Sequence, residues 1–316
     1  MFKIGIVGAG AIGKSHKRAI MANEKCELVA VCDINEENAK VVAEDTEAHI
    51  YADYKEMAEK EVMDAVILNL PHFLHKDVAV CFLEKGINVL VEKPMANTVE
   101  ECDAMIAAAK KSGALLTVGH VQKYYECYRI LRDMIKEGRF GKLCSITETR
   151  NSDYFPNRPA WFLDKAQSGG GIITNFGAHT LDKILYTTDL EIEDIHAIGN
   201  NFMTDHDVAA CVQLLVKFTG GVSGAFTYCG THIKGLYETN FYFTDGIAQI
   251  RGGEQLWISE NKEDFVQVEV NAKSASLLPL QLEELVKLLE GKESEIVMPD
   301  YATKIVDALE KAVNMM

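Results

Sequence analysis

Nowhere in the 316 residues does an uninterrupted apolar run approach the length that a membrane-spanning helix requires. The eight cysteines, at 26, 32, 81, 102, 127, 144, 211 and 229, form no C-x-x-C. Neither zinc nor disulfides are therefore suggested. Most of these cysteines fall in apolar strand or helix patterns, where a free thiol behaves as a small hydrophobe. They read as reduced thiols of a cytoplasmic protein. Positive charge is also short. With 32 Lys and Arg against 47 Asp and Glu, the formal net charge is −15, which argues against a nucleic-acid surface but leaves room for a local basic pocket. The first residues lack the basic segment and apolar core of a secretory leader. No repeats, low-complexity tracts or long linkers occur. What is present is ordinary for a soluble globular chain, 48% hydrophobic and 25% charged, and long enough for two domains with separate cores.

The most informative stretch is Met1 to His16, MFKIGIVGAGAIGKSH. Phe2 to Val7 has the length and composition of a strand. It stops at Gly8-Ala9-Gly10-Ala11-Ile12-Gly13, a G-x-G-x-x-G, and from Ala11 the pattern is helical. Gly8 permits the tight turn, Gly10 lets a pyrophosphate approach the backbone, and Gly13 allows close packing of helix on strand. The free N–H groups at the helix start face the phosphates. A glycine-rich turn alone says little. Here a second strand, Leu28 to Cys32, ends in Asp33, about twenty residues beyond the last glycine, where the ribose hydroxyls of a dinucleotide need an acceptor. The Asp33 carboxylate would repel a 2′-phosphate, and no Arg or Lys follows in Ile34-Asn35-Glu36-Glu37. NAD is favoured over NADP.

Strand and helix alternate through the first third. Helices are expected at Asn35–Glu44, Asp53–Glu59, Leu74–Lys85 and Thr98–Ser112, with strands at Asp64–Leu70, Asn88–Glu92 and Leu115–Gly119. This βαβ order predicts an α/β fold, a doubly wound parallel Rossmann sheet over residues 1–120. Ligands of such sheets lie off the carboxyl ends of the strands. That singles out Gly8, Gly10, Ala11, Ile12, Gly13, Asp33, Asn69, Leu70, Pro71, His75, Glu92 and Lys93 for the cofactor, and His120 for the substrate.

Residues 121–316 read as a C-terminal α+β domain. An apolar stripe, Cys127, Ile130, Leu131, Met134 and Ile135, marks a helix. β signals dominate from Ile192 to Val270, and Thr219-Gly220-Gly221 is a hairpin turn. A large, mainly antiparallel open sheet of six or more strands follows, interrupted by one long insertion at Asn151–Tyr186. Helices at about Leu280–Glu290 and Tyr301–Asn314 close the chain, the last available to pack back on the first domain.

Glu92-Lys93-Pro94 follows a strand directly, so the Lys93 ammonium can reach a cleft and stabilise a developing alkoxide. A surface lysine at a strand end is the plainer alternative. Ser168-Gly169-Gly170-Gly171 opens a helix on which Asn175 and His179 stand one turn apart, with Asp182 three residues on. A histidine facing a cleft is suited to accept a proton near neutral pH. Tyr154, Arg158 and Trp161 mix aromatic faces with a polar group that suit a sugar ring, with Asn157, Lys123, Tyr124 and Arg150 as further candidates. Arg158 serves equally well as a packed residue in an Arg–acid pair. His72 with His75, and Asp205-His206-Asp207, have metal-ligand chemistry but no matching third ligand or a simpler reading as a charged loop. The Glu283-Glu284 pair reads as a solvated helix face.

Together the fingerprint, Asp33, Pro71-x-x-x-His75, Glu92-Lys93-Pro94 and the GGG–His–Asp helix resemble the Gfo/Idh/MocA oxidoreductases, over nearly the whole chain. The resemblance implies NAD(P)-linked oxidation or reduction at a sugar or polyol hydroxyl. It also implies sheet-to-sheet assembly into a homodimer or homotetramer. It assigns the catalytic set to Lys93, position 175 and His179. Position 175 is Asn where many members have Asp, which concentrates the base role on His179, and Lys123 stands where Arg is frequent. The expected reaction has His179 removing the hydroxyl proton, Lys93 stabilising the alkoxide and the hydride passing to nicotinamide C4. An enzyme that retains its NAD and oxidises a sugar transiently, for elimination or glycoside cleavage, is the alternative. A non-catalytic NAD-binding regulator is opposed by the presence of both Lys93 and His179.

Overall fold

The computed structural model describes residues 1–156, 158–202, 205–230, 232, 234–270 and 277–316. The chain divides into two compact units. One comprises Met1–Val121 with Ser276–Val306, the other Gln122–Ala275 with Asp307–Met316.

The first unit alternates β1 (Phe2–Val7), α1 (Ala11–Met21), β2 (Cys26–Cys32), α2 (Glu36–Ala43), β3 (His49–Tyr51), α3 (Tyr54–Lys60), β4 (Ala65–Leu68), α4 (His75–Glu84), β5 (Asn88–Glu92), α5 (Val99–Ser112) and β6 (Leu116–Gly119). The six strands form one parallel sheet in the order β3-β2-β1-β4-β5-β6. The doubly wound expectation holds, and the order reverses at β1, beside β4. Both faces of the sheet are covered, so its strands are apolar throughout. Alternate side chains enter opposite cores: Val66, Leu68, Val89 and Val91 join Phe82 and Met105, whereas Ile4, Ile6, Ile67 and Leu90 join Ile20 and Leu285. Caps set the helix ends. Asn35 accepts from Glu37 and Asn38 N–H, and Thr98 from Glu101 N–H, so both residues lie outside the helices that they were expected to begin. The short β3 has no counterpart in the sequence reading, because three residues carry too little periodicity.

The second unit contains α6 (Glu126–Lys136), β7 (Leu143–Asn151), α7 (Lys165–Ser168), α8 (Ile172–Thr188), β8 (Ile192–Asn200), β9 (Cys211–Phe218), β10 (Ser223–Cys229), β11 (Leu236–Phe243), β12 (Gly246–Arg251), β13 (Gln255–Glu260) and β14 (Val266–Gln267). They form an eight-stranded sheet, β14-β13-β12-β11-β7-β10-β9-β8, antiparallel except for the β7–β10 pair. β9 shows the alternation of a one-sided sheet: Val212, Leu214, Val216 and Phe218 are buried, Gln213, Leu215 and Lys217 exposed. The expected insertion is largely ordered helix. It contains α7 and most of α8, whose sides are buried almost all round, which is why no amphipathic pattern announced it.

Two more helices follow, α9 (Leu278–Leu289) and α10 (Pro299–Asn314). Leu282, Leu285 and Val286 of α9 belong to the first unit's core, as do Ala302 and Val306 of α10. Glu284 is not on a solvated face. It is buried, pairs with Lys287 at 2.6 Å, and accepts from the Glu295 N–H and the Ser294 hydroxyl.

Candidate functional site

In the first unit the glycine turn leaves β1 under tight constraint. Gly8 has φ of +93°, and a Cβ there would meet the Asn69 carbonyl oxygen at 2.4 Å. A Cβ on Gly13 would lie 2.3 Å from the Gly8 carbonyl oxygen. Both positions exclude any side chain, so the turn and the start of α1 are held against the end of β4. Gly10 is different. Nothing approaches its Cβ position within 4 Å, and Gly10, Ala11 and Ile12 are exposed. No side chain caps the α1 N-terminus, so its first N–H groups are available to an anion.

Asp33 closes the cradle. Its carboxylate accepts from Ala9 N–H at 2.7 Å and Asn35 N–H at 2.8 Å, which ties the glycine turn to the exit of β2. Asn69, at the end of β4, has both amide atoms buried without a protein partner. Buried amides are ordinarily bonded, so this one marks where a polar ligand belongs. An uncapped helix start, an open glycine, a half-buried carboxylate and an unpartnered amide along one strand-end edge fit a dinucleotide.

Lys93 follows β5, half-buried, with a cis bond to Pro94. Its neighbour Glu92 holds it from behind: one Glu92 oxygen accepts the Lys93 N–H at 3.2 Å, the other lies 3.1 Å from His16 Nε2. His16, buried on α1, was not singled out from the sequence. It lies three residues past the last glycine of the fingerprint, and that spacing is the signal that pointed to it. His75 has no exposed surface, and its two ring nitrogens lie 2.9 Å from the Leu70 oxygen and 3.0 Å from the Pro94 oxygen. It therefore joins the β4 and β5 exit loops. Burial pushes its imidazole below the ordinary value, against the pull of those two carbonyls. His72 is its ring neighbour, at 5.7 Å between centroids. His120 is buried.

In the second unit α8 carries the candidate residues Asn175 and His179. Its start is shaped by Gly169, Gly170 and Gly171, all of positive φ. One turn later Asn175, 8% exposed, donates from Nδ2 to the Tyr154 hydroxyl at 3.4 Å. His179 follows on the same face, half-buried. Tyr154, expected as a substrate contact, is packed within the second unit. It is fully buried, with edge-on contacts to Phe155 and Phe176, and burial pushes its phenol up, so it stays a neutral partner of Asn175. Arg158 donates from Nε to the Tyr154 carbonyl at 3.1 Å and stacks its guanidinium over Tyr154 and Phe162. Trp161 stacks on Phe162 at 3.8 Å. Lys123 is also buried, its ammonium over the Tyr124 and Tyr186 rings at 5.3 and 5.4 Å. Arg150 lies over Phe176 and Tyr237. Asn157 lies outside the described residues.

Beneath α8 sits a charged cluster without a forewarning motif. Lys183 and Glu148 are 0% exposed and 3.3 Å apart. Glu148 also accepts from the Thr239 hydroxyl at 2.7 Å and from the Thr180 hydroxyl. Lys183 reaches the Tyr237 hydroxyl as well. Burial pushes the Lys183 ammonium down, and Glu148 opposes that shift. The sequence signal was a lysine one turn beyond His179, on a helix with apolar residues on most sides. Asp207 accepts from the first N–H of α7 at 2.8 Å, the structural loop role. Among the described residues no group of three His, Cys, Asp or Glu is arranged to hold a metal, and no helix is long and apolar enough to cross a membrane.

Comparisons with known proteins fit this geometry. Residues 2–120 match the model of an oxidoreductase family with an NAD-binding Rossmann fold, and residues 128–249 match the GFO/IDH/MocA C-terminal domain. A 2,7-anhydro-N-acetylneuraminate hydratase of Mediterraneibacter gnavus is 29% identical over 62% of this chain and 52% of its own length. The glucose-6-phosphate 3-dehydrogenase of Bacillus subtilis is 30% identical over 70% of this chain and 64% of its own. The matched region thus spans about half to two thirds of these curated relatives. The WlbA dehydrogenase of Bordetella pertussis, solved with NADH and UDP-GlcNAcA, superposes with a TM-score of 0.87 at 20% identity, covering 99% of this chain and 96% of that one. At that identity the likeness speaks for the fold.

Proposed function

Because this chain belongs to the Gfo/Idh/MocA oxidoreductase family, we propose that it is an NAD-dependent dehydrogenase or reductase. Its substrate is a sugar, a polyol or a sugar derivative, and the reaction occurs at a hydroxyl-bearing carbon. The observation that carries this reading is the dinucleotide cradle, with the unpartnered Asn69 amide, on the same strand-end edge as Lys93. Gly8 to Gly13, Asp33, Asn69, Leu70 and Pro71 would hold the cofactor, with Glu92 and His75 setting the loops. Bound there, NAD supplies a hydride acceptor at nicotinamide C4.

The chain's own groups do the rest. The Lys93 ammonium donates to the substrate oxygen and stabilises it as an alkoxide. His179 accepts the hydroxyl proton near neutral pH. Asn175, held by Tyr154, donates or accepts a hydrogen bond but brings no charge, so the base role stays with His179. Arg158 and Trp161 supply a polar group and an aromatic face to a sugar ring. The test is Lys93→Ala: NAD affinity stays near that of the parent, while kcat falls on the order of a hundredfold or more, the effect of losing one charge-stabilising donor. Unchanged turnover would refute the assignment. Screening sugars and polyols with NAD and NADP identifies the substrate.

A second reading draws on the relatives named as hydratases: the enzyme keeps its NAD and oxidises the sugar only transiently. NADH rising in proportion to product supports the dehydrogenase, and product without NADH supports the second reading. We further propose a cytoplasmic protein in which the unit of 1–121 with 276–306 serves the cofactor and the unit of 122–275 with 307–316 serves substrate and assembly. It would form a homodimer or homotetramer through the C-terminal sheet, a state that light scattering reads directly.

A further inference from the structure

We propose that Cys211 and Cys229 are a disulfide-forming pair, a modification site for two-electron oxidants on the eight-stranded sheet. The two residues stand directly opposite each other in the antiparallel β9–β10 ladder. The hydrogen bonds at the two ends of this ladder define its phase. Phe218 N–H donates to the Val222 oxygen at 2.9 Å, and Gly230 N–H donates to the Ala210 oxygen at 2.8 Å. Opposed residues alternate between bonded and non-bonded pairs. Ala210 with Gly230 is a bonded pair, so Cys211 with Cys229 is a non-bonded one.

This phase matters because non-bonded pairs bring opposed Cα atoms to about 4.5 Å, inside the roughly 4.4–6.8 Å window that a disulfide spans. The β9 alternation places Cys211 with Gln213, Leu215 and Lys217, the face opposite the packed core. Both thiols are half-buried and reduced. Burial, and then the adjoining Cys211 thiol, push the Cys229 thiol up to about 11. In the described strand pairings no other cysteine faces a second one.

The pair also borders the candidate site. The Cys229 carbonyl accepts from Ser152 N–H at 3.0 Å, and a Cβ on Gly230 would meet the Phe155 ring at 2.7 Å and Tyr154 at 2.9 Å. The cross-link would therefore fasten the strand ends beside which Tyr154, the partner of Asn175, is packed.

With hydrogen peroxide as the oxidant the step balances. One thiolate attacks a peroxide oxygen, the O–O bond breaks, and the departing hydroxide takes up a proton from solvent, giving a sulfenic acid and one water. The second thiol attacks that sulfur, the S–O bond breaks, the S–S bond forms and a second water leaves. Because the attacking species is the thiolate, the rate should climb as the pH rises.

The experiment uses the full chain carrying Cys144→Ser, since Cys144 is exposed and would cross-link separate molecules. After peroxide treatment, thiol titration is expected to fall by two per chain. A non-reducing peptide map should join the Cys211 and Cys229 peptides, and dithiothreitol should restore both thiols. Adding Cys229→Ser should abolish the linked peptide. The proposal is overturned if the linked peptide is absent while other cysteines oxidise, if Cys229 joins a different cysteine, or if either residue accumulates as sulfinic acid without a disulfide.

Discussion

Replacing Lys183 with Met tests the buried cluster beneath α8. Lys183 and Glu148 are both 0% exposed, and 3.3 Å separates their charged atoms. Methionine keeps the stem and removes the ammonium, so Glu148 is left in a dry interior with only the Thr180 and Thr239 hydroxyls as donors. Breaking a buried pair from one side costs about 3–5 kcal/mol. With a urea m-value of about 2 kcal/mol/M, that loss lowers the unfolding midpoint by roughly 1.5–2.5 M. The readout is specific to this unit. The chain has two tryptophans, and both Trp161 and Trp257 fall within Gln122–Ala275. Intrinsic fluorescence therefore follows the unit that contains the pair. Lys183→Met combined with Glu148→Gln removes the stranded charge and should recover a large part of the loss, because an apolar or neutral replacement of the whole pair is far cheaper than half of it. A single variant whose midpoint moves by less than about 0.3 M, well inside the expected loss, would refute the account of a desolvated, mutually dependent pair.

Two further tests concern the first unit. Asp33→Asn keeps the shape but loses the negative charge facing the ribose. It should weaken NAD binding and narrow the preference for NAD over NADP about tenfold or more, equivalent to about 1.4 kcal/mol. An unchanged ratio in binding titrations would show that Asp33 does not set cofactor choice. His75 gives a pH signature. Its folded pKa lies below the ordinary imidazole value because of burial, so the unfolded chain takes up the proton first as pH falls. Its contribution to stability is complete above about pH 6.5 and is lost below it, by up to about 1.4 kcal/mol per pH unit until the folded pKa is reached. His75→Gln should remove that slope from the urea midpoint measured between pH 7 and 5. A wild-type slope retained in the variant would assign the pH dependence elsewhere.

Local rules carried far in this chain. The strand, the glycine fingerprint and Asp33 lie within 33 residues, and each acts through backbone geometry or charge that a linear reading captures. The βαβ order likewise follows from continuous apolar strands, which only a sheet covered on both faces requires. Boundaries slipped where capping decides them, as at Asn35 and Thr98. Tyr154 and Lys123 were read as contacts for a ligand because polar tips on aromatic or aliphatic stems are common in pockets. The structure buries both, with Tyr154 bonded to Asn175 and Lys123 over two tyrosine rings.

By itself the sequence determined the cofactor fold, NAD as the cofactor and the residue types at 93, 175 and 179, because these follow from short-range spacing and from chemistry that a side chain carries wherever it sits. Only the tertiary structure decided which groups support them: His16 behind Glu92, Tyr154 behind Asn175, Glu148 against Lys183, and Cys211 facing Cys229. Each of these depends on residues 18 to 76 positions apart in the chain meeting in one packed environment. No periodicity encodes such a meeting. Burial then sets what it costs to break.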